Sequence, residues 1–157
     1  MKLMKRILVF VLCLVFLFCV FPGCNKDWAA DYDDDEKIAS GSASSSISGS
    51  SIMTINNTST IKYNTFSGKK DIWSINSNGT GSFTIDHDLQ ISKGRFKCVL
   101  VDPDKNVKIL FDETSTQTKS YDAPEGKSLI KFVGDGAAIE LKITITSEGN
   151  ASVRMLD

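Results

Sequence analysis

Residues 139–146 alternate between apolar and polar side chains, and this alternation constrains the fold more than any other feature of the sequence. The apolar positions are Ile139, Leu141, Ile143 and Ile145. Side chains of a β-strand point to opposite faces with a period of two, so the segment is predicted to be a strand with one buried face. No stretch after residue 51 shows the 3.6-residue apolar period of an amphipathic helix.

Short strands separated by turn residues continue this pattern through residues 52–157. Strands are predicted at 52–55, 60–66, 72–76, 82–86, 95–101, 107–111, 116–122, 128–133, 139–146 and 153–155. Turns at intervals of about 8–12 residues are typical of β-sandwiches. The pattern resembles the Ig-like and jelly-roll accessory modules of secreted bacterial proteins. We therefore predict an all-β fold, an antiparallel β-sandwich that is Ig-like or jelly-roll-like.

One hairpin of this sandwich can be proposed in detail. The segment 77–79 has the sequence Ser-Asn-Gly and separates the strands predicted at 72–76 and 82–86. A three-residue loop would place its glycine in the left-handed conformation that glycine tolerates best. This loop would bring Trp73 opposite Phe83 on the buried face.

A second predicted turn, 102–106, raises the question of a metal site. Pro103 suits position i+1 of a type I turn. Four residues match ligand positions 1, 3, 5 and 12 of an EF-hand calcium loop, namely Asp102, Asp104, Asn106 and Glu113. That loop needs glycine at its sixth position, where this chain has Val107, and no helix is predicted on either side. The hairpin turn is favoured, and no metal site is predicted.

The N-terminus has the features of an export signal. Three positive charges in residues 1–6 precede fifteen apolar residues, 7–21, and Pro22 and Gly23 end any helix there. A membrane-spanning helix needs about 20 apolar residues, whereas the apolar core of a secretory signal is shorter. Residues 1–23 are therefore predicted to be a signal peptide.

The residues that follow indicate the kind of signal. Phe21-Pro22-Gly23-Cys24 resembles a bacterial lipobox, in which a small residue precedes a cysteine that becomes the lipidated N-terminus. Gly23 and Cys24 match that pattern, and Phe21 and Pro22 depart from it. The resemblance implies lipidation of Cys24 and attachment to the cell membrane on its extracytoplasmic face. An ordinary signal peptide and an uncleaved anchor are the alternatives.

Residues 24–51 are predicted to be a disordered tether that follows the lipidated cysteine. An acidic run at 31–36 repels itself, and residues 40–51 are almost entirely serine, glycine and alanine. Such a segment cannot bury enough apolar surface to offset its loss of conformational entropy. Trp28 is expected in the membrane interface. The folded domain is then residues 52–157.

Charge and cysteine content exclude several classes of function. Without residues 1–23 the chain has 15 basic and 19 acidic residues, and residues 52–157 contain 13 of each. A neutral domain without a basic stripe argues against nucleic-acid binding. Cys98 is the one cysteine after position 24, so no internal disulfide can form, and it is expected to be a buried hydrophobic residue. No cofactor motif is present.

The search for reactive side chains gives no catalytic site. His87 is the single histidine, and its position between Asp86 and Asp88 is typical of a solvated turn at a strand end. No motif marks a nucleophile. The residues expected to face a ligand are Tyr63, Tyr121, Asp102 and Asp104. The tyrosines are chosen because their hydroxyl groups favour a wet environment.

These observations predict a membrane-anchored extracytoplasmic lipoprotein with a non-catalytic β-sandwich binding module. Its partner would be an envelope protein or a glycan, in addition to the membrane that holds the lipid. A carbohydrate-binding module, a small hydrolase with a dispersed carboxylate site and a structural spacer remain as alternatives.

Overall fold

The structure, a computed structural model, describes residues 28–41 and 43–156. Two short helices, α1 (Trp28–Tyr32) and α2 (Asp35–Ala39), come first. The strands are β1 (Ser44–Ile55), β2 (Thr58–Val101), β3 (Val107–Phe111), β4 (Ser115–Asp122) and β5 (Gly126–Met155). All of their pairings are antiparallel. The prediction of an antiparallel β-sandwich is confirmed.

The strands form two layers because β2 and β5 are long enough to run through both. We call one layer the front sheet; its order is β1, 58–66, 137–149, 81–91 and β4. We call the other layer the back sheet; its order is 151–155, 69–77, 126–134, 95–101 and β3. The inner faces of the two layers enclose the core.

The long strand β2 changes layer three times, once at the turn 78–80 and twice at irregular points. Its pairing register with β5 shifts around Phe66 and again around Lys93. Gly68 and Gly94 follow these points, and their backbone φ angles are 98° and 70°. Residues with a Cβ rarely adopt such values. We call this end of the sandwich the corner end. The opposite end is the turn end, formed by residues 56–57, 78–80, 102–106, 123–125 and 148–150.

The core follows the predicted alternation. The four apolar residues of 139–146 are buried, whereas Glu140 and Lys142 between them are exposed. Aromatic rings fill the space between the sheets; the centroids of Phe96 and Phe132, for example, lie 5.1 Å apart. Cys98 is fully buried, as predicted, and burial raises the pKa of its thiol well above the usual value.

The predicted hairpin between 72–76 and 82–86 is wrong. Trp73 pairs with Ile130 and Met155, and Phe83 pairs with Tyr121 and Ser147. The turn at 78–80 exists, but it carries the chain from the back sheet to the front sheet. The two segments consequently pair with different parts of β5 instead of with each other.

The structure also corrects the predicted tether and the domain boundary at residue 52. The strand β1 begins at Ser44 and pairs with β2 from there to Ile55. Before it, α2 buries Ile38 and Ala39 on the outer face of the back sheet, against the side chains of Val99, Val101 and Val133. We call residues 28–40 the clasp. Cys24 and the predicted signal peptide lie outside the described residues.

Local interactions explain why a polar segment becomes ordered here. The carboxylate of Asp34 caps α2 by accepting a hydrogen bond of 3.0 Å from the backbone N–H of Lys37. A helix of five residues is not stable alone, so its apolar contacts must hold it in place. Ile38 supplies the main contact, since it is completely buried.

We predict that Ile38→Ala lowers the free energy of unfolding by about 2–5 kcal/mol, the usual range for truncating a fully buried aliphatic side chain. Urea denaturation followed by circular dichroism measures this change. Ile52→Ala is the matched control, because Ile52 is 42% exposed, and it should cost about 0.5 kcal/mol or less. Equal stability of wild type and Ile38→Ala would mean that the clasp is detached in solution.

Candidate functional site

The outer face of the front sheet presents polar side chains in rows that cross several strands. One row contains Thr58, Thr144, Asp86 and Thr118, and the next contains Thr60, Lys142, Asp88 and Thr116. A third row contains Lys62, Glu140 and Gln90. We call these eleven residues the polar face. They point outward because their neighbours along each strand point into the core.

Hydrogen bonds hold many of these side chains in place. The hydroxyl of Thr118 donates to Asp86 at 2.9 Å, and that of Thr116 donates to Asp88 at 3.0 Å. The hydroxyls of Thr58 and Thr144 lie 2.8 Å apart within hydrogen-bond distance. Each aspartate therefore has a fixed orientation and retains acceptor capacity on its second oxygen.

Two adjoining depressions lie along β5 on this face. The first has a volume of about 240 Å³ and is lined by Asp86, Asp88, Thr116, Lys142 and Thr144, with backbone from the strands beneath. The second, of about 260 Å³, includes Lys62, Asn64, Gln90, Ser92 and Glu140. An ion pair of 3.6 Å joins Lys62 to Glu140 in the second depression. Together they offer acceptors, amide groups and ammonium donors in one groove.

Two carboxylates of the polar face are neighbours on β2. Asp86 and Asp88 project side by side from one strand, because they are two residues apart. Both carboxylates lie on the outer face of the front sheet, where they can accept hydrogen bonds from a ligand lying on the sheet.

The two tyrosines predicted to face a ligand are buried instead. Tyr63 is 1% exposed and Tyr121 is 7% exposed. Tyr121 donates a hydrogen bond of 3.0 Å to the backbone oxygen of Leu110, which links the front sheet to the back sheet. Tyr63 stacks on Phe66 with ring centroids 5.2 Å apart. Both rings are needed to fill the core, and burial raises the pKa of both hydroxyls.

Asp102 and Asp104 lie on an exposed turn at the turn end, away from the polar face. Asp102 accepts two hydrogen bonds of 2.8 Å from Asn106, one from its backbone N–H and one from its side-chain amide. These bonds lower the pKa of Asp102. The turn uses this carboxylate to stabilise itself, and Lys105 adopts the left-handed conformation with a φ of 69°.

His87 is buried inside β2, so its predicted place in a solvated turn is wrong. Its ring stacks on Phe111, with centroids 4.0 Å apart, and its Nε2 lies 3.2 Å from the hydroxyl oxygen of Ser115. Ser115 also donates a hydrogen bond of 3.1 Å to the backbone oxygen of Glu113. The ring of His87 is therefore held inside the sandwich by its stack on Phe111 and by its contact with Ser115.

Two further properties concern metal ions and membrane-spanning helices. Among residues 28–41 and 43–156, no group of three or more histidine, cysteine or acidic side chains could hold a metal ion. Within the same residues, no helix is long and apolar enough to cross a membrane.

Comparisons with known proteins give structural likenesses only. No protein-family model matches the sequence, and a search of curated proteins found no match. A mutant family 29 carbohydrate-binding module complexed with mannohexaose has a TM-score of 0.39 and 16% identity, covering 68% of this chain and 82% of its own. A second family 29 module has a TM-score of 0.37 and 15% identity, covering 68% and 79%. Procruciferin, an 11S globulin from Brassica napus, has a TM-score of 0.24 and 14% identity, covering 64% and 23%.

We predict opposite outcomes for removing the two buried tyrosine hydroxyls. Tyr121→Phe leaves the buried oxygen of Leu110 without this donor and should cost about 1–2 kcal/mol. The hydroxyl of Tyr63 has no hydrogen-bond partner among the described residues, so Tyr63→Phe should leave stability unchanged or raise it slightly. Chemical denaturation of both variants checks this, and an equal loss in both would contradict the assignment.

The burial of His87 predicts a specific dependence of stability on pH. Burial lowers the pKa of His87 in the folded state. The negative charges of Asp86 and Asp88 raise it, but their effect is smaller than that of burial. The stability gained from the neutral ring is present above the unfolded pKa of about 6.5 and is lost as the pH falls through the lower folded pKa. Between pH 7 and pH 5, the wild type should therefore lose more stability than His87→Phe. Parallel pH profiles of the two proteins would refute this.

Proposed function

We propose that the protein is a membrane-anchored lipoprotein of the cell envelope whose β-sandwich is a non-catalytic module that binds a glycan. The observation that carries this proposal is the polar face, where ordered carboxylates, hydroxyls and ammonium groups line two adjoining depressions. A polyhydroxylated ligand both donates and accepts hydrogen bonds, and this groove supplies partners of both kinds.

The lack of exposed aromatic side chains among the described residues means that a ligand would be held by hydrogen bonds. No aromatic side chain of the described residues is exposed, and only Trp28 and Tyr32 are half-buried. Sugar rings therefore cannot stack on the polar face as they do on an aromatic platform. Binding would depend on hydrogen bonds to groups such as Asp86, Asp88 and Lys142, each of which exchanges with water and contributes about 0.5–1.5 kcal/mol, or somewhat more when charged.

A binding role is favoured over hydrolysis because the ring of His87 is buried against Phe111 and the sequence contains no motif that marks a nucleophile. The anchor is supported by the sequence alone, through the positive start, the apolar segment and the lipobox-like residues before Cys24. These features favour attachment to the extracytoplasmic face of the cell membrane.

Titration calorimetry with soluble mannan, xylan and glucan oligosaccharides tests the proposal. We expect at least one of them to bind, and Asp88→Ala should weaken its affinity about tenfold, which corresponds to about 1.4 kcal/mol. Asp104→Ala is the matched control, because it removes an exposed aspartate at the turn end and should leave the affinity unchanged.

Three outcomes would contradict the glycan assignment. They are binding of none of the oligosaccharides, an equal effect of Asp88→Ala and Asp104→Ala, and release of reducing sugar during incubation with the wild type. The last result would instead identify a hydrolase.

A further inference from the structure

The clasp is fixed to the back sheet by charged groups as well as by apolar contacts. Arg95 donates to both carboxylate oxygens of Asp33, at 3.0 Å and 2.8 Å, and to Asp135 at 3.1 Å. Its guanidinium also lies over the ring of Tyr32, 4.3 Å from the centroid. Nη1 makes both contacts with Asp33, whereas Nε and Nη2 contact one oxygen of Asp135, so the guanidinium bridges the two carboxylates.

A second cation holds the other end of the clasp. The ammonium group of Lys69 donates to the backbone oxygens of Lys37 and Ser40, the latter at 2.9 Å. These carbonyls lie at the C-terminal end of α2, where a helix favours positive charge. The clasp is thus attached at both ends as well as through Ile38, and it cannot rotate freely on the domain.

Trp28 shows which end of the sandwich the clasp starts from. Its ring packs over Gly68, so closely that any Cβ at Gly68 would collide with the ring and with the backbone oxygen of Ser44. Gly68 is one of the glycines at which β2 changes layer. The first described residue of the chain therefore lies at the corner end.

Chain length then limits how far this end can be from a lipid attached to Cys24. Trp28 is the fourth residue after Cys24, and a fully extended chain spans at most about 3.6 Å per residue, or about 14 Å in total. A free tether over 25–51 would instead have an end-to-end distance of roughly 30 Å and no preferred direction. The clasp converts a flexible connection into a short one with a defined direction.

We infer that the clasp orients the domain on the membrane: the corner end faces the lipid headgroups, and the turn end points away from them. This inference depends on the lipid anchor proposed above. The twelve residues of β1 run from the corner end to the turn end, so the two ends are separated by about 40 Å. The groove on the polar face then stands along the side of the domain, open to solvent from the headgroups outward.

Energy transfer from a donor dye on the protein to an acceptor dye on lipid headgroups tests this orientation. The lipidated protein, which begins at Cys24, is reconstituted into phosphatidylcholine vesicles that contain rhodamine-labelled phosphatidylethanolamine. The donor is attached in separate samples through Lys93→Cys at the corner end and Asn78→Cys at the turn end, both of which are exposed. Cys98 is buried, so it does not compete for the dye.

We expect transfer from position 93 to exceed transfer from position 78 roughly twofold or more, because their distances from the headgroups differ by tens of ångströms. Arg95→Ala and Ile38→Asp both weaken the clasp and should bring the two efficiencies closer together. Circular dichroism verifies that the strands persist; Arg95→Ala changes an exposed side chain and serves if Ile38→Asp does not fold. Lys62→Ala removes an exposed ion pair on the opposite sheet and should leave the ratio unchanged.

The anchor and the orientation give separate results in this experiment. Retention of the wild type on vesicles and its loss in Cys24→Ala would support the anchor, and unequal transfer would support the orientation. Equal transfer from the two positions in retained wild type would overturn the orientation alone. Failure of the wild type to remain on the vesicles would overturn the anchor and the orientation with it.

Discussion

The pairing of β2 with β5 is the interaction on which the rest of the structure depends. It extends from Thr58 to Val101 along β2 and includes both sheets. The strands β1, β3 and β4 each pair with β2 and add to the edges of this central pair. Two strands can belong to both sheets only if they bend sharply. Glycine residues are needed at these bends, because a Cβ would collide with neighbouring atoms. A Cβ at Gly134 would collide with Phe66, and one at Gly94 would collide with the backbone of Gly136. The glycines at the corner end are therefore as necessary to the sandwich as its apolar core.

This arrangement makes the two outer faces of the sandwich different. In the front sheet, strict alternation places charged and hydroxyl side chains outside, where they stay in water. In the back sheet the outer face also carries apolar residues, Val99, Val101 and Val133 among them, and these need a cover. The clasp supplies it through Ile38 and Ala39. One face is consequently available for a ligand, and the other is used to fix the domain to the segment that leads to the N-terminus.

The sequence predicts the strands better than their partners. The alternation in 139–146 identifies a half-buried strand because that pattern is local, and burial in the structure follows it. Trp73 pairs with Ile130 and Met155, which are distant in the sequence, so a local turn signal cannot predict this pairing. The clasp was missed because its composition is acidic and serine-rich, although Asp34 as a helix cap before Ile38 was a usable signal. The polar face forms only when four strand segments pair in the correct register. The positions of Asp86 and Lys142 in the sequence therefore do not predict that they lie close together.

A face that binds only through hydrogen bonds must compete with water at every contact, so one module would hold the proposed glycan loosely. The proposed attachment to a membrane would change this limit, because many copies on one surface can engage a repeating ligand together. Linked binding events can raise the overall affinity by roughly two to four orders of magnitude, provided that the geometry allows simultaneous contact. A freely rotating domain would spend part of its time with the groove turned towards its own membrane. The ion pairs of Arg95 and the burial of Ile38 restrict that rotation. Under the proposed function, the clasp would therefore affect ligand binding without touching the ligand, since it would determine how many grooves are open to the same polymer at once.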